Sequence, residues 1–253
     1  MKKLTVAISC YNFEDYLEKC LDSILIQKTN FDFDIIIRDD CSNDNSRTVI
    51  ENISSKYSGV RNIRYIFGDT NCGVNKNVQL LLSECKSEYI SLLDGDDLLT
   101  DDTKLQRQVE FLENNPEYAI HSTSYRYLYN DGTISPEEGW LCAVKEVISL
   151  QDLLDQNFIT FGRTFRNIQN LFKDLGEKEW YLNIPYDDWA LNFEILKHGL
   201  AKCDMSWCTG LYRITGRGVL TKDSEETLNS KNELCRSVLR EEYTRFTNSD
   251  SNN

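Results

Sequence analysis

Apolar and polar positions alternate between two periods along the first part of the chain. Residues 4–10 form a short apolar strand that ends in Ser9-Cys10-Tyr11-Asn12. Leu17, Leu21, Ile24 and Leu25 then recur at helical spacing, with Asn12 placed as the N-cap and Asp15 at the third helical position. Residues 33–37 are apolar apart from Asp34, the pattern of a strand buried on both faces. A polar stretch, 42–46, leads into a helix over about 47–57. Residues 63–67 predict a third strand, 74–83 a third helix and 89–93 a fourth strand. This βαβαβαβ order predicts an α/β fold, a mainly parallel, doubly wound (Rossmann-like) sheet with helices on both faces.

The later pattern is less regular. It predicts a helix over 101–114, a strand over 119–129 ending at the turn Asn130-Asp131-Gly132, and a short helix over 150–156. A helix over 185–198 is stopped by Gly199, and 205–214 reads as a strand. Leu228, Leu234, Cys235, Val238 and Leu239 give a partial helical stripe over 224–246, and 247–253 are expected to fray. Three prolines mark no linker, and the sequence has no internal repeat.

Composition narrows the function. At 253 residues, 40% hydrophobic and 27% charged, the chain is ordinary globular protein. With 41 acidic against 28 basic side chains the net charge is −13 and there is no basic block, which argues against nucleic-acid binding. No apolar run reaches the roughly 18 residues of a membrane span. The N-terminus MKKLTVAISC reads as a first strand rather than a signal peptide. Nine cysteines, odd in number and without a C-x-x-C pair, suit reduced thiols and a cytoplasmic location. Two histidines, His121 and His198, argue against multi-histidine zinc sites, and no G-x-S-x-G turn exists to present a nucleophilic serine.

In an open parallel sheet, ligands bind beyond the carboxyl ends of the strands. Every unusual polar cluster lies at such an end: Ser9–Asn12, Asp39-Asp40-Cys41-Ser42, Asn71 to Asn77, and Asp94-Gly95-Asp96-Asp97. The last carries three carboxylates in four residues. Such a cluster repels itself unless it is solvated or neutralised, so it is either an acidic turn capping the next helix or a set of oxygen ligands for Mg²⁺ or Mn²⁺. Gly95 would relax the backbone there. Asp40-x-Ser42-x-Asp44, with Glu51 at the twelfth place, imitates a calcium loop. Asn45 stands where that loop needs glycine, and a strand precedes it, so an EF-hand is disfavoured.

Val6–Asn12, Ile36–Ser42, Asn71-x-Gly73-Val74-x-Lys76-Asn77 and Leu93–Asp97, in this order, resemble the nucleotide-binding half of family 2 inverting glycosyltransferases, which have the GT-A fold and a D-x-D motif. The resemblance is strong over about 4–125 and looser over 155–220. It implies a nucleotide-sugar-binding half (1–125), an acceptor-binding half of the same domain (126–220) and a C-terminal helix with frayed tail (221–253). It implies that Tyr11 packs on the base, Asp40 accepts a base N–H, Asp39 supports that turn, and Lys76 neutralises diphosphate or contacts the base. Asp94 would bind the ribose, Asp96 the Mn²⁺ or Mg²⁺, and Asp97 either. Many relatives carry arginine at the Lys76 position; lysine lacks its bidentate fork. Tyr186-Asp187-Asp188-Trp189 resembles the family's acidic pair, with Asp188 the general base and Asp187 the fallback. Alone, the two acids are also what a helix N-terminus attracts, and Trp189 reads first as core. The stretch 158–167, with Arg163 and Arg166, loosely resembles an acceptor-cleft lining. Tyr212-Arg213-Ile214-Thr215-Gly216 resembles a segment often reading Tyr-Arg-x-His, and Thr215 stands in place of the histidine that completes the metal site in some relatives; a third protein ligand stays open, and the implied coordination is Asp96, diphosphate and water.

The implied reaction is metal-dependent, inverting transfer from a UDP-sugar to an acceptor hydroxyl, in polysaccharide or glycoconjugate synthesis. Glycan, lipid-linked and protein acceptors all stay open, as does oligomeric state. The chain is expected in the cytoplasm or at the inner membrane face. The tail helix mixes acids and bases, so packing is preferred to membrane anchoring. Two rivals remain. A sugar-1-phosphate nucleotidylyltransferase normally opens with a basic, glycine-rich loop, which Ser9–Asn12 lacks; a non-catalytic nucleotide- or glycan-binding domain is the other.

Overall fold

The structure, a computed structural model, describes residues 2–59, 62–138, 145–216 and 223–250. The elements run β1 (Leu4–Cys10), α1 (Leu17–Leu25), β2 (Phe33–Asp39), α2 (Ser46–Lys56), β3 (Asn62–Phe67), α3 (Val74–Ser83), β4 (Tyr89–Asp94), β5 (Leu98–Leu99) and α4 (Lys104–Asn114). They continue as β6 (Tyr118–Tyr129), β7 (Ile134–Glu138), β8 (Val147–Ile148), a 3₁₀ turn at Asp152–Leu154, β9 (Thr164–Arg166), α5 (Leu171–Leu175), α6 (Glu179–Asn183), α7 (Asp187–Leu196), β10 (Leu200–Ile214) and α8 (Glu225–Asp250). Cys142 and the boundary expected at 220/221 lie outside the described residues.

One sheet runs β3-β2-β1-β4-β9-β6-β10-β5, with β7 on β6 and β8 on β10. The long ladders β1–β2, β1–β4, β2–β3 and β6–β10 are parallel. Short β9 is antiparallel to both β4 and β6, joining the two parallel regions. Alternate side chains of the central strands feed opposite layers, as the two-residue repeat of a strand demands. Val6, Ile8, Ile35 and Ile37 pack with α1, α2 and α4, whereas Ala7, Ile36, Ile90 and Leu92 pack with α3, α5, α6, α7 and α8. Burial on both faces explains the nearly unbroken apolar runs of β1 and β2.

Register places the chemistry. Cys10 pairs with Asp39 and Ser9 with Asp94, so the carboxyl ends of β1, β2 and β4 lie side by side. Gly95 is required for space: a Cβ there would sit 2.9 Å from Leu17 Cδ1 and 3.1 Å from the Ser9 carbonyl oxygen. Its φ is not positive, so backbone relaxation is not the reason.

Several expected boundaries move. The first helix begins at Leu17, with Tyr16 rather than Asn12 at its N-cap. Asn12 instead adopts a left-handed φ of 57° and spends its side chain on the Asn43 amide. The calcium-like loop is likewise consumed by backbone: Asp44 accepts from the amides of Glu14 and Ser46. The helix expected from Asp101 begins at Lys104, because Asp101 turns back to accept from Thr103 and the Trp207 indole. The short helix over 150–156 shrinks to the 3₁₀ turn. The tail does not fray at 247, since α8 continues to Asp250. Cys235 and Leu239 bury its inner face, whereas Leu234 is exposed.

Candidate active site

Two cavities, a first of about 480 Å³ and a second of about 500 Å³, open at the carboxyl ends of the strands and share Val74, Asp94, Asp97 and Tyr212. The first region, between β1, β2 and α3, is lined by Tyr11, Asp40, Gly73, Asn77, Asp96 and Thr215. Tyr11 is 39% exposed and lines this cavity. Asp39 is fully buried; it accepts from Arg47 Nε at 2.9 Å, from the Ser42 amide at 3.1 Å and from the Ser42 hydroxyl. Asp40 accepts the amides of Cys72 and Gly73, each at 2.9 Å, and so ties the end of β2 to the start of α3. Gly73 makes this bond at φ 83°, a conformation that favours glycine. The buried cation next to Asp40 is Arg38, at 3.8 Å and hydrogen-bonded to Asn77. Lys76 is half-buried on α3 and lines neither cavity, whereas its neighbour Asn77 does.

The acidic turn joins both cavities. Asp97 is buried and accepts the Arg213 amide at 2.8 Å, while Arg213 Nε donates to the Asp96 carbonyl at 2.8 Å. The Arg213 guanidinium also lies over the Tyr16 ring, 4.6 Å from its centroid. The Tyr212-Arg213 segment of β10 thus clamps the turn.

The second cavity is lined by Asn157, Arg163, Asp187 and Asp188, with Leu228, Asn232 and Arg236 of α8 forming part of its wall. Asp187 and Asp188 start α7. Asp188 accepts from Asn157 Nδ2 at 2.7 Å and from the Trp189 amide at 2.8 Å. Trp189 is buried, and its indole donates to the Leu153 carbonyl at 2.7 Å, a core role. Arg163 and Arg166 part company. Arg163 is buried and lines this cavity; Arg166 donates to the Tyr118 and Leu112 carbonyls on the α4 side.

The profile of glycosyl transferase family 2 matches residues 5–191. The chain belongs to glycosyl transferase family 2. An uncharacterised protein of Mycobacterium tuberculosis is 33% identical over 185 residues, 72% of this chain and 52% of the relative, so the chain spans about half that protein's length. Among solved structures, Staphylococcus aureus TarS residues 1–349 in complex with UDP superposes with a TM-score of 0.62 at 18% identity, covering 85% of this chain and 61% of that one. The mannosyltransferase PcManGT from Pyrobaculum calidifontis, in complex with GDP-Man and Mn²⁺, gives 0.64 at 15% identity, covering 86% and 58%. At these identities the likeness shows the fold, which is GT-A. Among the described residues no helix is long and apolar enough to cross a membrane.

In this family 2 chain burial raises the proton affinity of the acids of the two cavities, and repulsion adds to it at Asp94, Asp97 and Asp187. Burial, then repulsion from Asp96, pushes Asp94 up to about 7, although it keeps contact with water through the cleft. Burial pushes Asp96 up to about 6, and burial with Asp96 and Asp94 raises Asp97. Burial, then Asp188 and Asp94, pushes Asp187 up to about 7. Asp188 is also raised by burial, but Arg163, the Trp189 amide and Asn157 pull it down. Carboxylates crowded in this way fit a hard divalent cation, which relieves their repulsion and takes oxygen ligands. Among the described residues no three acidic, histidine or cysteine side chains converge as a ready metal cage. The donor set therefore fits an ion held by one or two carboxylates plus substrate phosphate and water.

Arg38, Asn157 and the clamping role of Arg213 were not legible in the sequence. Arg38 lies inside an apolar strand, where charge was itself a signal. Asn157 reaches Asp188 across 31 residues of chain and carries no local signal.

Proposed function

We propose that the chain is a glycosyltransferase that moves a sugar from a UDP-sugar to an acceptor hydroxyl with inversion at the anomeric carbon. The observation that carries this reading is the junction of two cavities at Asp94 and Asp97, one lined by the exposed Tyr11, the other by an acidic pair at Asp187 and Asp188. Donor and acceptor need such adjoining sites, because the attacking oxygen must reach the sugar from the side opposite the leaving diphosphate.

In this reading Tyr11 stacks on the base and Asp40, supported by Asp39, offers a remaining lone pair to the base N–H. Asp94 holds ribose and Asp97 keeps the turn in place, while Lys76, set back from both cavities, contributes to the diphosphate only through the field of its charge. Asp96 holds Mn²⁺ or Mg²⁺, which when bound neutralises charge on the departing diphosphate. Asp188 removes the acceptor hydroxyl proton as its oxygen bonds to the sugar carbon and the bond to the diphosphate oxygen breaks. One displacement gives inversion without a covalent sugar–enzyme intermediate. Residues 1–125 form the donor side and 126–220 the acceptor side, with α8 walling the acceptor cavity; the site of action is the cytoplasm.

Calorimetry with UDP, with and without Mn²⁺, tests the metal role. UDP is expected to bind more tightly with Mn²⁺, and Asp96→Ala is expected to abolish that gain. Equal affinity under all four conditions overturns the metal assignment. Release of UDP from UDP-glucose or UDP-N-acetylglucosamine separates transfer from mere binding; pyrophosphate formation from UTP and a sugar 1-phosphate would instead establish the nucleotidylyltransferase.

A further inference from the structure

The two acids that open α7 are adjacent in sequence but differ in their partners. Asp188 receives two hydrogen bonds, from Asn157 Nδ2 at 2.7 Å and from the Trp189 amide at 2.8 Å. Both are donors, the complement of an ionised carboxylate, which accepts only. Asn157 is buried, and its amide orientation follows from its other contacts. Its Oδ1 accepts from the Ile159 amide at 3.2 Å and from Asn192 Nδ2 at 3.1 Å. With two donors on that side, the oxygen must lie there and the NH₂ must face Asp188. Asn192, fully buried, is fixed in turn by donating to the Ile159 carbonyl at 2.6 Å. It stands four residues beyond Asp188, on the same face of α7. The Asp188 carboxylate and the amides of Asn157 and Asn192 thus form a hydrogen-bonded chain anchored at both ends to one helix.

Arg163 supplies the charge opposite. It is 5% exposed, and its Nε has no hydrogen-bond partner among the described residues. The segment that carries it is held firmly. Gly162 has φ +56°, a Cβ there would lie 3.1 Å from Lys104 Cε, and its carbonyl accepts from buried Lys104 at 2.6 Å and from Gln108 at 2.9 Å. A buried guanidinium left short of partners at the edge of a cleft is costly unless charge nearby offsets it. Asp188, Asp187 and Asp94 are those charges.

We propose that Asn157, locked by Asn192, and Arg163 are positioning residues that keep Asp188 ionised and oriented, and so single it out from Asp187 as the proton acceptor. The catalytic half of this proposal rests on the transferase reading; the positioning half does not. The titratable and charged groups that interact with Asp188 are Asp187 on its own helix, Asp94, Arg163, Tyr181, Tyr186, Tyr212 and Cys235. Asn157→Ala changes none of them.

The test is a carboxyl ¹³C NMR titration of the full chain labelled at aspartate, with the Asp188 resonance identified by its loss in Asp188→Asn. It needs no substrate. The Asp188 midpoint is expected to rise by about one pH unit in Asn157→Ala, a tenfold loss of ionised carboxylate below the midpoint. A smaller rise is expected in Asn192→Ala, which serves if the first variant does not fold, and Arg163→Lys should stay near wild type. A midpoint unmoved in both asparagine variants overturns the proposal, as does a shift confined to Asp187. In parallel, UDP release from UDP-glucose or UDP-N-acetylglucosamine, with water as acceptor, should lose its acid side in Asn157→Ala and recover at high pH, at unchanged UDP affinity. A wild-type rate in Asp188→Asn alongside an intact midpoint shift would overturn the base assignment and leave the positioning standing.

Discussion

The acids at the end of β2 and those at the start of α7 show two uses of one functional group. Asp39 and Asp40 are surrounded by donors: Arg47, Ser42 and the amides of Cys72 and Gly73. Their charge is used to staple loops, which fixes the walls of the first cavity before any ligand arrives. Asp187 and Asp188 sit in a cleft with one another and with Asp94; burial raises the proton affinity of both, and repulsion from Asp188 and Asp94 raises that of Asp187 further. A carboxylate whose bonds are spent on joining loops builds structure, whereas one held at the wall of a cleft beside other acids is available for chemistry. Loss of Asp39 is therefore expected to register in stability, and loss of Asp188 in turnover.

The largest effect should follow Asp188→Asn. A positioned carboxylate contributes about 10²–10⁴-fold by general-base catalysis. Turnover is expected to fall in that range while UDP binding, read by calorimetry, stays at the wild-type level. Loss in Asp187→Asn with normal turnover in Asp188→Asn would reverse the two roles.

Next in size is Asp39→Ala, whose effect belongs to folding. It strips a fully buried carboxylate from Arg47 and from the loop amide of Ser42. Breaking a buried pair costs about 3–5 kcal/mol, and the half-exposed Arg47 side chain favours the lower end. Urea unfolding should show that loss; an unchanged midpoint would mean that this pair is not what staples the loop.

Tyr11→Ala should be smaller again and purely a binding effect. Stacking of a base on an aromatic ring is worth about 1–3 kcal/mol, so UDP affinity is expected to fall about tenfold with no change in melting temperature. Equal affinity would place the base elsewhere.

The same division explains what the sequence reveals. Strands buried on both faces print unbroken apolar runs, so β1, β2 and β4 and the clusters at their ends are readable. Short β5, β8 and β9 carry no period, being two or three residues each, and β9 reverses direction between parallel neighbours. The start of α1 is misread because Asn12 has the chemistry of a cap but uses it on another loop. The acidic pair is visible as residues, whereas the asymmetry between them is made by Asn157 and Arg163, which only the fold brings close.

The smallest expected effect separates charge tension from mere proximity at α7. In the folded chain Asp187 is pushed up to about 7, by burial first and then by Asp188 and Asp94. In the unfolded chain an aspartate titrates near 3.9. Between about pH 4 and 7 the folded state therefore holds a proton that the unfolded state has released, and stability falls as pH rises through that window. Above it the full cost is present. Buried His121, depressed to about 3 mainly by desolvation, acts in the opposite sense below pH 6.5, so the wild-type curve mixes the two. The difference between Asp187→Asn and wild type cancels His121 and the other groups that do not interact with Asp187, leaving Asp187 with its partners Asp188 and Asp94. That difference is expected to be near zero at pH 4, to grow toward pH 7 and to level off above it; because Asp187 is partly open to water in the cleft, solvent relieves most of the tension, and the about 1 kcal/mol that remains has the variant melting about 2–4 °C higher at pH 8. A difference of constant size across that range would show that Asp187 carries no such tension, and that the acids of the two regions differ in address alone.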